Sequence, residues 1–117
     1  MNLQLSLKKQ WFEMTKLGLK TEDYREINDY WEKRLLNFSL NYHPACVVTY
    51  FKTHNINHNL KHFTQNTMTL GYPKSNDTER ILKLEHKGIE IRTGNPEWGA
   101  EPNKLYFVIL HGSVLAK

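Results

Sequence analysis

The chain changes its hydrophobic period twice within its first 25 residues, and that order limits the possible folds more than any bulk property does. Leu3, Leu5 and Leu7 alternate with Asn2, Gln4 and Ser6, the period of a half-buried strand. Between residues 8 and 17 the spacing changes, and Trp11, Phe12 and Met14 can share a helical face with Leu7 and Leu17. Gly18 then suits a helix terminus, where a positive φ is tolerated without a Cβ. Beyond it, Lys20, Glu22 and Tyr24 alternate against Thr21, Asp23 and Arg25, which predicts a second strand. Strand, helix and strand in this order require a domain that combines helices with a sheet.

The remainder extends that plan. Asp29 with Glu32 three residues later has the form of a capping box, and Trp31, Leu35 and Phe38 follow at helical spacing. A second helix is therefore expected to pack its aromatic side on the sheet. Pro44 ends that segment, and residues 45–52, rich in valine and aromatics, read as a strand. Residues 67–72 read as another. Residues 80–85 and 89–92 alternate around His86-Lys87-Gly88, which predicts a hairpin. The apolar run at 105–110 suits a central strand. About six strands with two early helices make a barrel-like α+β domain spanning residues 1–117. There are no repeats, low-complexity tracts or linkers.

Composition removes several classes of function. Fourteen aromatic residues, three of them tryptophan, favour a packed core over disorder. The single cysteine, Cys46, excludes an internal disulfide and a cysteine-based zinc site, and its valine neighbours suggest an inert buried thiol. No opening run has the form of a signal peptide, and none approaches the ~20 apolar residues that span a bilayer, so the cytoplasm is the expected location and no membrane partner is expected. A net charge of +4 permits a polyanionic partner. The twelve lysines and four arginines are nevertheless spread along the chain, with no basic tail.

Three segments carry side chains suited to chemistry. The first is Gly18-Leu19-Lys20-Thr21-Glu22-Asp23-Tyr24-Arg25. Asp23 and Arg25 share a strand face and can pair, with Lys20 a second cation, as a site for a phosphate, a nucleobase or a carbonyl group requires. The same stretch also reads as an ordinary exposed strand with alternating charge. The second is His54, His58 and His62, spaced four apart. Imidazoles on successive turns can converge on a metal, but no carboxylate or cysteine completes the set and the intervening asparagines are poor helix formers. No metal is expected there, and a polar insertion bordering a cleft is. The third is Glu97-Trp98-Gly99, where the indole can stack a base or plug the end of a barrel, and Glu97 is a candidate distant carboxylate. No phosphate-binding loop, nucleophile elbow or metalloprotease helix is present, and no cofactor is expected.

The first stretch resembles the G-x-K-x-x-E-x-R signature of the ASCH domain family. Gly18, Lys20 and Arg25 match it, and Asp23 stands at the glutamate position, one methylene shorter. The opening strand and helix, the phrase Tyr24-Arg25-Glu26-Ile27 with Tyr30-Trp31, Gly71-Tyr72, and the loop at 96–100 are also similar to small bacterial and phage ASCH proteins. The resemblance covers nearly the whole chain and is strongest over residues 1–38. It implies a PUA-like mixed-sheet β-barrel with two helices packed on it and a cleft along the signature. It also implies an RNA or nucleotide ligand held by Lys20, Asp23 and Arg25, to which the loop reading adds Trp98 as a stacking contact. In that cleft Lys20 is the principal cation, Asp23 its acidic partner and Arg25 an anchor or counter-ion, with Tyr24 packed inside and Glu22 solvated.

One branch of the family removes the N4-acetyl group of acetylated cytidine with a lysine, a threonine three residues on and a downstream glutamate. Here Asp23 occupies the threonine position, and a carboxylate cannot act as a hydroxyl nucleophile. A neighbouring carboxylate also stabilises the charged ammonium, which favours Lys20 as an electrostatic clamp over Lys20 as a base. The expected function is RNA or nucleotide binding. The alternatives are a small hydrolase of a modified nucleoside using Lys20, Asp23 and Glu97, or a protein-interaction domain whose charged strand is merely solvated. Ligand identity and oligomeric state stay open.

Overall fold

The computed structural model describes residues 1–36, 60–74 and 76–116. Phe38, Cys46, His54, His58 and the strand expected at 45–52 lie outside the described residues. The described elements are β1 (Asn2–Leu7), α1 (Lys9–Lys16), β2 (Glu22–Arg25), α2 (Asp29–Leu35), β3 (Gln65–Leu70), β4 (Ile81–Thr93) and β5 (Leu105–Ala116), with short 3₁₀ turns at Thr78–Arg80 and Pro96–Trp98. The class is α+β, and the sheet is mixed in the order β1-β3-β4-β5-β2. The first pair is parallel and the second antiparallel.

Among the described residues the sheet has five strands instead of about six. Part of the difference comes from β4. The hairpin expected at His86-Lys87-Gly88 is absent, and the chain runs extended from Ile81 through Thr93. Gly88 takes φ +133°, which a side chain would resist. A lone glycine in an extended run marks a local irregularity as readily as a turn, and here it does so.

The chain divides into two compact units. The first comprises Met1–Asp23, Phe63–Gly88 and Leu110–Lys117, and the second Tyr24–His62 and Ile89–Ile109. In the first unit, register builds the core directly. Leu5 stands beside Met68, which stands beside Leu82, and all three are 1% exposed or less. Leu3 and Leu84 continue the buried side, joined by Phe12 from α1. Full burial of each such side chain contributes roughly 1.5–3 kcal/mol. The opposite side carries Gln4, Thr67 and Lys83 in the same register. Leu17, expected on the apolar face of α1, is the C-cap residue and is exposed instead.

In the second unit α2 starts one residue earlier than the capping box predicts. Asn28, not Asp29, is the cap, and its Oδ1 accepts the Trp31 backbone N–H at 3.0 Å. Leu35 is fully buried and Trp31 half-buried. Tyr24 packs on Tyr106, ring centroids 5.6 Å apart, and its hydroxyl accepts the Asn95 N–H at 2.8 Å. Gly94 lies so close to the Tyr24 ring that a Cβ there would sit 2.6 Å from it. Among the described residues no helix is long and apolar enough to cross a membrane.

The register yields a stability prediction. Leu5→Ala should lower the free energy of unfolding by about 2–5 kcal/mol, the usual cost of truncating a fully buried leucine. Gln4→Ala, on the exposed side, should change it by ~0.5 kcal/mol or less. Urea unfolding of the two variants checks the assignment of faces.

Candidate functional site

The end of α1 sets up a buried polar cluster in the first unit. Gly18 (φ +78°) donates its N–H to the Thr15 carbonyl, and Leu19 donates to that of Met14 at 2.9 Å. This is a Schellman termination, which needs a residue able to adopt positive φ after the cap. The Lys20 N–H also reaches the Met14 carbonyl, at 3.2 Å, and the chain turns inward with the Lys20 side chain. Lys20 is only 2% exposed. Its ammonium donates to Oδ1 of Asp23 and to the Glu22 carbonyl, the latter at 2.8 Å, and lies 5.9 Å from the centre of the Trp11 ring.

Asp23 is equally buried, and its second oxygen is also engaged. Oδ2 faces His111 Nε2 at 2.6 Å. Beyond His111 the chain of contacts continues: Nδ1 lies 2.7 Å from Asn66 Nδ2, and Asn66 Oδ1 lies 2.7 Å from His86 Nδ1. Lys20, Asp23, His111, Asn66 and His86 thus form one connected network. His111 is anchored through its backbone as well, donating its N–H to the Thr21 carbonyl at 3.0 Å.

The direction of every bond in this network follows from Asn66. Its amide nitrogen also reaches the Leu110 carbonyl, at 3.3 Å, an acceptor that cannot donate. The nitrogen must therefore stay on that side, and it donates to both Leu110 O and His111 Nδ1. His111 consequently carries its proton on Nε2, which donates to Asp23. Asn66 Oδ1 faces the other way and accepts from Nδ1–H of His86. Each donor meets an acceptor, as a buried polar network requires.

Burial pushes the Asp23 carboxyl toward its neutral form, but the His111 hydrogen bond and the Lys20 charge outweigh it, and the pKa falls below the ordinary 3.8. The half-buried His86 titrates below its ordinary 6.5, chiefly because burial penalises the cation. At neutral pH the cluster holds a fixed carboxylate, and His86 is neutral with Nε2 outside the network. Phe63 packs against the His86 ring at 5.5 Å between centroids.

The structure brings two of the candidate site residues together, Lys20 and Asp23. Glu22, expected in solvent, is 9% exposed, because Glu22 and Asp23 are both buried at the start of β2 instead of alternating. The same break in alternation redirects Asp23, whose oxygens are taken by Lys20 and His111. Arg25 belongs to the second unit, where its guanidinium donates to the Tyr24 carbonyl at 2.8 Å and lies over the Trp31 ring at 5.3 Å. Glu97 and Trp98 are in that unit too. Their turn is held by Asn95, whose side chain accepts the Glu97 N–H at 2.9 Å, and Gly99 ends it at φ +97°. Glu97 is exposed and Trp98 half-buried. His62 is exposed, and among the described residues no group of three histidine, cysteine or acidic side chains is placed to hold a metal.

His111, Asn66 and His86 were not found from the sequence. His111 is 88 residues from Asp23 and 45 from Asn66, so no local spacing signals the contact. A clue does exist at Asn66. It shares strand parity with Met68 and Leu70, and a carboxamide at a core-facing position calls for a buried partner. Comparison with family models, with curated proteins and with solved structures finds no match to the chain.

Two predictions follow from these partners. Asp23→Asn leaves the Lys20 ammonium without its counter-ion and should cost about 3–5 kcal/mol in denaturant unfolding. Replacing both charges, Lys20→Met with Asp23→Leu, should cost less than either single change, because no buried charge is then stranded.

A third prediction concerns pH. With a folded pKa below 3.8, Asp23 contributes stability that is complete above that value and is lost as pH falls through the folded pKa. His86, depressed below 6.5, contributes stability that begins to fall once pH drops under 6.5, where the unfolded chain takes up the proton first. Unfolding free energies measured from pH 7.5 downward should therefore decline in two stages, and His86→Gln should remove the upper one.

Proposed function

We propose that this chain is an ASCH-type domain of PUA-like fold that binds a nucleotide or modified nucleoside, free or within RNA, through the Lys20–Asp23–His111 cluster. The observation that carries this reading is the buried ion pair itself. Taking a carboxylate and an ammonium out of water costs several kcal/mol, and apolar side chains of similar volume usually serve stability as well or better. A charge pair with an attached imidazole is therefore better accounted for by what it recognises than by what it stabilises.

Binding is preferred over turnover for a specific reason. A proton-transfer group works best with a pKa near the operating pH, and Asp23 is shifted away from neutrality, not toward it. Both its oxygens already accept hydrogen bonds, from Lys20 and His111, which makes it the group that positions those two side chains. The burial of Lys20 also favours a small polar ligand or a single extruded base over a run of backbone phosphates. Specificity then comes from shape and from the base edge, the usual mode for unstacked nucleotides.

Hydrolysis of an N-acylated nucleoside is the second reading. His86 favours it: neutral at physiological pH and half-buried at the end of the network, it is the group best placed to take a proton.

The test is a calorimetric titration of the full chain with nucleosides, nucleoside monophosphates and N4-acylcytidine, with product analysis of each mixture. The Lys20→Met/Asp23→Leu double variant, its fold checked by circular dichroism, serves as the control. Saturable binding without product, lost in the double variant and little changed by salt, is the expected result. Product formation that stops in His86→Gln supports the hydrolase instead. If none of these compounds binds, the reading is wrong.

A further inference from the structure

The exposed side of the first unit's sheet carries a concavity, distinct from the buried cluster. Gln4, Thr67 and Lys83 stand in one row across β1, β3 and β4. Residues paired in register point to the same side of a sheet, so this row faces away from Leu5, Met68 and Leu82 and also away from Asn66. With Asn2 and the Tyr72 ring, the row lines an open cavity of about 410 Å³. That size is within the ~300–1,000 Å³ typical of small-ligand sites.

Tyr72 is the unusual member. It is 96% exposed, more than any other large apolar side chain among the described residues. The turn that presents it is nevertheless well fixed. Gly71 adopts φ +69°, and its carbonyl accepts the Thr69 hydroxyl at 3.0 Å and that of Ser6 at 3.4 Å. Arg80 Nη2 donates to the neighbouring Leu70 carbonyl at 3.0 Å. An aromatic ring held out into water by an ordered turn contributes nothing to the core, and it provides a stacking surface.

We propose that this face binds single-stranded nucleic acid, seating one unstacked base on Tyr72 and the adjoining phosphate at Lys83. The carboxamides of Asn2 and Gln4 supply donors and acceptors for a base edge. The charged residue in the lining is a cation, and Lys74, exposed one residue beyond the lining residue Pro73, is a second. Glu85, two residues from Lys83 on the same strand, is held by Lys87 at 3.0 Å. The local charge thus complements a phosphate, which a neutral saccharide would leave unused. The inference is independent of the Lys20–Asp23–His111 reading, because the two sites use opposite sides of the sheet.

The experiment is a nitrogen–proton correlation NMR titration of the full chain with a short oligouridylate and, separately, with maltopentaose. With the oligouridylate, shifts should appear at the amides of Thr67, Thr69, Tyr72 and Lys83, and they should persist in the Lys20→Met/Asp23→Leu double variant, which removes the buried cluster. Tyr72→Ala should weaken binding about 5- to 150-fold, the range for loss of one base–aromatic stack. Lys83→Ala should reduce the slope of log affinity against log salt by about 0.7, one phosphate's share for a single strand. Both side chains are exposed, so the remaining spectrum should report an unchanged fold. Three outcomes overturn the proposal: no shift at these residues at millimolar oligouridylate, equal affinity in Tyr72→Ala, or shifts with maltopentaose alone.

Discussion

The carboxylate of Asp23 is held by two donors that reach it from different parts of the chain. One is the ammonium of Lys20, delivered by the Schellman turn that ends α1. The other is the imidazole of His111, delivered by β5. A carboxylate in the interior is tolerated only when its charge is matched and its lone pairs are filled, and charge-assisted hydrogen bonds are the strongest available means. Asp23 therefore fixes the positions of both donors. Through His111 the constraint passes to Asn66 and His86, so β3 and β4 are oriented by the same charge.

Asn66 gives this network its direction. Because the Leu110 carbonyl can only accept, the amide cannot rotate, and the tautomers of both histidines follow. The network is therefore polarised as well as connected, running from a half-buried imidazole to an ionised carboxylate. The opposite side of the same strands has another character. Thr67 and Lys83, next in sequence to Asn66 and Leu84, lie on that side beside Tyr72, where Lys83 and Tyr72 are exposed and Thr67 is buried. A period of two along a strand places chemically unrelated surfaces on adjacent residues.

Much of the first unit could be read directly from the residues. The alternation of Leu3, Leu5 and Leu7 gave β1 and its buried side, and Gly18 gave the end of α1, since few other residues take that backbone conformation at low cost. Errors arose where one local signal had two readings. His86-Lys87-Gly88 has turn composition but lies within a continuous strand, where glycine accommodates an irregularity. Asn28 and Asp29 are both good caps, and the geometry of the chain entering α2 selected Asn28. At the site, Lys20 and Asp23 were legible as candidates because one short stretch carries both, although strand parity paired Asp23 with Arg25 instead. His111 was not, because its pairing is made by strand order.

The sequence by itself determined the class of the fold, the buried side of β1, the helix stop at Gly18 and the placing of a lysine and an aspartate just after it. Each rests on interactions between residues a few positions apart, where the backbone leaves few alternatives. The tertiary structure alone decided that this pair is buried, that His111 shares the carboxylate and that Asn66 links it to His86. Burial and long-range partners depend on which strands become neighbours, and strand order is a property of the whole chain. A charge in an alternating segment reads as solvated until a core-facing partner removes it from water. Asp23 shows that difference within a single residue.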